Sequence, residues 1–269
     1  MKTIEAVLSI AGSDSSGGAG IQADIKTIAA HRLFAETAIT ALTAQNTLGV
    51  TGVVAVDPSF VTAQIDAVFE DIRPAAVKIG MVSSAAIIEA VACALERHGA
   101  HNIVVDPVMV ATSGARLIDE EAVRALKERL LPLADVLTPN LPEAAVLCGF
   151  PVDDDVSMER AARTLAAAGK GAVLVKGGHA ADRADDVLVP SADGPAIWLR
   201  APRIDTSNTH GTGCTLSSAI ACGLARGWTM EQAVRGAKDY VTGALAAGLD
   251  LGRGSGPLDH MWEYQVPSA

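Results

Sequence analysis

Short apolar runs alternate along this chain with longer stretches in which apolar residues recur every three or four positions. Five runs, 4–12 (IEAVLSIAG), 76–80 (AVKIG), 102–107 (NIVVDP), 135–140 (DVLTPN) and 171–178 (GAVLVKGG), are apolar on both alternating faces and end in Gly, Pro or a polar residue. That is the pattern of strands buried on both sides. Between them lie helical patterns. In 57–72, Val61, Ile65, Val68, Phe69 and Ile72 share one face, with Asp57 as N-cap and Pro58 in the first turn. Thr229 and Gln232 form a capping box for a helix from about Met230 to Ala247. The run 185–204 differs: two strand-like pieces around a turn at Asp193 and Gly194 predict an antiparallel hairpin.

Strand and helix in alternation imply an α/β fold with a mainly parallel central sheet and helices on both faces. No internal repeat or interdomain linker interrupts it, so one domain over 1–269 is expected, a size at which a single core is ordinary. The formal charge of −10, with no basic cluster, argues against nucleic acid or an anionic membrane as partner. Cys93, Cys148, Cys214 and Cys222 show no metal or redox spacing and read as free thiols of a reducing compartment. The N-terminal apolar run is too short for a membrane span and weak as a signal peptide, so a cytoplasmic location is expected.

The polar punctuation falls at the predicted carboxyl ends of strands, where ligands of such sheets gather. Gly211, Thr212 and Gly213 open a long apolar helix. Free amides of the first turn and the absence of a Cβ make that mouth an anion site. Cys214 lies in the same positive field, which favours thiolate and a proton-accepting sulfur; alternatively it is a small packing residue.

The glycine-rich turn 12–24 fits a dinucleotide fingerprint by letters at Gly18, Gly20 and Ala23, but no acidic residue follows at the right place. A Walker loop is excluded because Gly18 and Ala19 stand where Lys and Ser/Thr are required. What is left is a flexible rim around a small ligand, with Asp14 and Asp24 as polar contacts, or a plain tight turn.

Asn140 and Glu143, three apart where a strand becomes a helix, can converge on one hydrated cation, with Asp106 facing the same space. Glu143 also suits a first-turn position as a complement to the helix dipole. Lys176, beside Gly177 and Gly178, is either a phosphate partner or a solvated strand end. Gln45 follows a β-branched run and can donate and accept at once to a heterocycle edge. His179 and His210 receive no chemical role.

In this order, SIAGSDSSGGAGIQADIKT, ALTAQNT, KIGMV, VVDPVM, LTPNLPEA, VLVKGGH, DTSNTHGTGCTLSSAIA and GSGPLDHMW, from Ser9 to Trp262, resemble the ribokinase-like superfamily. Within it they are similar to the hydroxymethylpyrimidine/phosphomethylpyrimidine kinases of thiamine biosynthesis, which share Cys at the fourth position of the GTG motif, where most of the superfamily has Asp. The resemblance implies a ribokinase-like three-layer sandwich and a kinase using ATP and Mg²⁺. The implied reaction phosphorylates 4-amino-5-hydroxymethyl-2-methylpyrimidine to its monophosphate and then its diphosphate.

Gln45 would bind the pyrimidine ring, and Gly12, Asp24, Met81 and Val108 would line its pocket. Asn140, Glu143 and Lys176 would serve the nucleotide, with Asp106 and Glu143 at the metal. Cys214, Lys176 and the amides of Gly211, Thr212 and Gly213 would carry catalysis. A homodimer with a reduced lid is also implied, and a pyridoxal or pyridoxine kinase of the same superfamily is the alternative.

Overall fold

The structure is a computed structural model that describes residues 4–109, 118–178 and 183–264. Among these residues nine strands form one sheet: β1 (Ala6–Asp14), β2 (Phe34–Asn46), β3 (Gly49–Ala55), β4 (Ala76–Ile79), β5 (Ile103–Val105), β6 (Val136–Leu137), β7 (Ala172–Lys176), β8 (Asp186–Val189) and β9 (Ile197–Leu199). Their order is β3-β2-β1-β4-β5-β6-β7-β8-β9. From β2 to β7 every pairing is parallel, while β3 at one edge and β8 and β9 at the other are antiparallel.

Among the described residues eight α-helices flank the sheet: α1 (Gly20–Ala30), α2 (Pro58–Asp71), α3 (Ala85–His98), α4 (Glu120–Ala125), α5 (Leu141–Cys148), α6 (Asp155–Ala168), α7 (Thr212–Ala225) and α8 (Met230–Ala247). A π-helical segment, Leu126–Leu130, continues α4. None is long and apolar enough to cross a membrane.

Strand residues divide between two cores with a period of two. Leu8, Ile10, Val77, Ile79, Ile103, Val105, Val173 and Val175 pack towards α2, α3, α5 and α6. Val7, Ala76, Val104, Val136, Ala172 and Leu174 pack towards α7 and α8. The fold is therefore the expected three-layer α/β sandwich.

The five expected strands are all present: β1 is as long as its run but shifted two residues on, while the others are shorter, 102–107 contributing three strand residues and 135–140 only two. Beyond them the chain turns into the polar loops of the site. The 185–204 hairpin is β8–β9, closed by a turn in which Gly194 N–H donates to Ser191 O. The capping box at Thr229 and Gln232 holds the start of α8, and Asp57 caps α2 through Ser59 N–H. The ribbon β2–β3 was not among the expected strands. His179 lies outside the described residues.

Candidate active site

The carboxyl ends of β1, β2, β4, β5, β6 and β7 open with the N-terminus of α7 onto one cavity of about 180 Å³. Gly12, Gln45, Met81, Asp106, Val108, Asn140, Glu143, Lys176, Gly211, Thr212, Gly213 and Cys214 all line it. Asp24 does not. A larger groove of about 700 Å³ on the α5–α6 side is lined by Asp153, Asp154, Asp155 and Asp185 together with Arg183, and none of the convergent groups above faces it.

One end of the cavity is built for an anion. Gly211 begins α7 in the left-handed conformation, φ 85°, and a Cβ there would lie 1.9 Å from Gly18 O, so only glycine closes the loop. A Cβ on Gly213 would stand 3.2 Å from Asp106 Oδ2 and 3.3 Å from Lys176 Nζ. The bare backbone therefore leaves room between the helix start and this ion pair. Lys176 Nζ lies 2.8 Å from Asp106 Oδ1, which Thr138 Oγ1 also approaches at 3.2 Å. The pair has little solvent around it. Burial opposes the ammonium form of Lys176, but Asp106 and Glu143 outweigh it and raise its pKa.

Asn140 and Glu143 are primarily a capping box. Asn140 Oδ1 accepts from Glu143 N–H at 2.9 Å, and Glu143 Oε2 accepts from Asn140 N–H at 2.8 Å. Each thus lends one oxygen to the start of α5, and Glu143 takes the first-turn position that the sequence also allowed. Glu143 Oε1 accepts a long 3.5 Å contact from Met109 N–H. Burial pushes the Glu143 carboxyl up to about 7, with Lys176 pulling down and Asp106 pushing up.

Among the described residues no three metal-ligating side chains gather into a closed site. Two carboxylates beside a phosphate mouth nonetheless suit Mg²⁺, which takes one or two protein carboxylates and completes its shell with phosphate and water.

The other end is built for a flat polar ligand. Gln45 sits near the end of β2, opposite a bulge in β3 where Thr51 is the extra residue against the Ala44–Gln45 step. Its amide neighbours Thr43 and His210 at 3.2 Å each. His210 Nε2 is 2.9 Å from Asp14 Oδ2. Asp14 also accepts from the N–H groups of Ser16, Gly18 and Ala19. Burial opposes ionisation of Asp14, but the donors from His210, Ser16 and Ala19 outweigh it and hold its pKa at about 2.

With these positions in view the comparisons are decisive. Residues 14–259 match the family described as Phosphomethylpyrimidine kinase. The chain belongs to that family. A Haemophilus influenzae protein named hydroxymethylpyrimidine/phosphomethylpyrimidine kinase is 46% identical, over 98% of this chain and 99% of its own. The solved phosphomethylpyrimidine kinase of Clostridium difficile superposes with TM-score 0.78 at 44% identity, covering 88% of this chain and 98% of that one. Staphylococcus aureus pyridoxal kinase in complex with AMP-PCP and pyridoxal has TM-score 0.89 at 32% identity, covering 98% and 96%.

Two features of this phosphomethylpyrimidine kinase family member depart from the sequence reading. Cys214 lines the cavity and keeps partial exposure, yet its thiol does not follow the helix field. Burial pushes it up to about 11, nearby Lys78 pulls it down, and Asp24 and Asp106 push it up. The thiol form is therefore favoured at neutral pH, because the cost of burying charge exceeds the gain from the helix terminus.

Asp24, expected at the pocket wall, is fully buried one layer deeper. It accepts both available bonds from Lys78 Nζ, at 2.8 and 2.9 Å, together with Ser9 Oγ at 2.5 Å and Ser218 Oγ at 2.7 Å.

Proposed function

We propose that this kinase transfers the γ-phosphoryl group of ATP to the 5-hydroxymethyl oxygen of 4-amino-5-hydroxymethyl-2-methylpyrimidine. A second transfer onto the monophosphate would then give the diphosphate used in thiamine diphosphate biosynthesis. The observation that carries this reading is one cavity lined at once by a donor-and-acceptor amide at Gln45, by Gly213 at the start of α7, by Lys176, and by Cys214. Family membership and the relative's printed name support the substrate, and the AMP-PCP complex of the structural neighbour supports ATP.

Phosphoryl transfer asks for alignment and charge stabilisation. Amides of residues 211–214 and the Lys176 ammonium receive the charge of the transferred group. Asp106 and Glu143 would hold Mg²⁺, which when bound supplies further neutralisation of the phosphates. The alcohol oxygen attacks phosphorus, the bond to the β-bridging oxygen breaks, and the hydroxyl proton goes to Cys214 in its thiolate form. In the second transfer the attacking phosphate oxygen is already largely ionised and needs no base. Gly12, Met81 and Val108 wall the ring.

The chain works as one domain, a reading supported by the single sheet that runs through it. It pairs with a second copy, in our reading, through the β2–β3 ribbon. Leu42, Leu48, Val53, Val54 and the nearby Phe60 are all exposed there, an apolar patch of the kind that marks an interface. Light scattering of wild type and Val54→Glu tests the pairing, with a dimer and a monomer expected.

Pyridoxal kinase is the second reading, favoured by TM-scores of 0.89–0.90 to solved pyridoxal kinases but at only 31–35% identity. Curated relatives named for the pyrimidine reach 52%. ADP release with the pyrimidine alcohol, its monophosphate and pyridoxal, with product masses, separates the two. Higher kcat/KM for the pyrimidines is expected, and a preference for pyridoxal would reverse the assignment.

A further inference from the structure

This inference rests on the pyrimidine reading and concerns its two transfers. The first acceptor is an alcohol oxygen on the ring methylene, and the second is an oxygen of the phosphate attached there, two bonds further out. Both must reach the same mouth at the start of α7 while the ring is held at the end of β2. The spacing between those two elements therefore bears differently on the two steps, because transfer depends steeply on how the reacting atoms approach.

Residues 252–260, which follow α8, span that spacing as a strap. At the β2 end, three successive backbone N–H groups close on Thr47. Arg253 and Gly254 donate to its Oγ1 at 3.2 and 3.3 Å, and Ser255 donates to its backbone oxygen at 3.1 Å. In the middle, Gly256 N–H donates to Ser207 O at 3.2 Å, His210 N–H donates to Gly256 O at 3.0 Å, and Pro257 bridges His210 in parallel. At the far end, His260 Nε2 lies 3.1 Å from Thr215 Oγ1, in the first turn of α7.

The strap lies too close to its supports for a side chain to intervene. A Cβ on Gly254 would stand 2.0 Å from Thr47 O, and one on Gly256 would stand 2.0 Å from Asn208 Oδ1. His210 directly precedes Gly211, the N-cap of α7. A shift of the strap against Thr47 is thus passed to the amides that receive phosphate. Thr47 stands outside the cavity lining, whereas Thr43 and Gln45 on the strand before it belong to that lining.

We propose that Thr47 is a positioning residue: through the strap it fixes the distance from the ring end of the cavity to the start of α7, and so sets the balance between the two transfers. The alcohol, the shorter acceptor, depends on that distance most. The phosphate arm of the second acceptor has extra rotatable bonds with which to reach the mouth.

The test is the single-turnover rate and the KM for the pyrimidine alcohol and for its monophosphate in Thr47→Val, which keeps the side-chain shape but offers no acceptor. Arg253 and Gly254 are exposed, so water takes their N–H groups and the fold is retained. The first transfer is expected to fall about tenfold and the second less than about threefold, with KM for the alcohol within about twofold of wild type. Thr47→Ser, which restores the acceptor, should recover the wild-type ratio of the two rates. Thr47→Val should also keep the pH profile of the wild-type first step, which separates lost positioning from a lost base. Equal effects on both transfers, or a ratio that Ser fails to recover, overturn the assignment. Should Thr47→Val not fold, Gly254→Ala drives the strap off Thr47 from the other side, and an unchanged ratio there overturns it equally. Absence of pyrimidine turnover by wild type would instead bring down the substrate reading itself, and the role of Thr47 with it.

Discussion

Lys78 Nζ lies 2.8 Å from Asp24 Oδ2, and neither side chain has any solvent exposure. The pair ties β4 to α1, and through Ser218 to α7, directly beneath the two glycine turns that form the cavity mouth. Burial opposes the ammonium of Lys78, but the Asp24 carboxylate outweighs it and the net shift is upward. Removing one partner strands the other charge. Lys78→Met should cost about 3–5 kcal/mol in urea denaturation, while Lys78→Met with Asp24→Leu should recover much of that loss. Equal stabilities for the single and double variants would contradict the pairing.

Glu36 on β2 is buried, its Oε2 has no hydrogen-bond partner among the described residues, and burial, with the nearby Asp71, pushes its carboxyl from 4.5 up to about 7. An acid whose pKa rises on folding favours the fold below its unfolded value and loses that contribution as pH rises from about 4.5 through 7. Glu36→Gln should therefore raise stability at pH 8 by about 1–2 kcal/mol, a few degrees of Tm, and leave it unchanged near pH 4.5. Thermal melts at the two pH values check the sign.

A thiol at about 11 makes Cys214 a scarce base at neutral pH. If it takes the alcohol proton, the first phosphorylation should gain about tenfold in rate per pH unit between 7 and 9, and the second should stay nearly flat. Cys214→Ala should abolish the slope and slow the first step far more than the second. Separate single-turnover rates for the two steps read this directly, and equal losses would remove the base assignment.

Gly213→Ala would insert a methyl group into the space beside Asp106 Oδ2 and Lys176 Nζ. The helix has its own reasons to tolerate alanine, so folding should survive. Turnover should fall by roughly 10²–10³, the usual loss when an anion-stabilising donor is displaced. Circular dichroism with ADP release distinguishes this from unfolding.

Strands β4 to β7 were legible in the sequence because a strand covered on both faces reads as an unbroken apolar run, and their polar ends pointed to the cavity. The ribbon β2–β3 was not legible. Leu42, Val53 and Val54 are apolar but exposed, so the contrast between buried and solvent faces that reveals a strand is missing.

The site residues converged because each sits at a strand end or helix start with its own local signal. Asp24 misled because helical periodicity shows a polar residue near a glycine turn and says nothing of a lysine 54 positions on, in another strand. His210 gave no signal at all, since its partners Asp14 and Gln45 are 196 and 165 residues away. The thiol of Cys214 shows a further limit: helix starts can be read from sequence, but depth of burial cannot.

The central claim is that the transferred phosphate is received at the start of α7 while the pyrimidine is held at Gln45. A crystal structure with the pyrimidine alcohol and a nonhydrolysable ATP analogue tests it most directly. The account predicts the terminal phosphate within hydrogen-bond distance of the Gly213 amide and Lys176 Nζ, with the ring amine on Gln45. A terminal phosphate lodged in the acidic groove lined by Asp153 and Asp185 would contradict it.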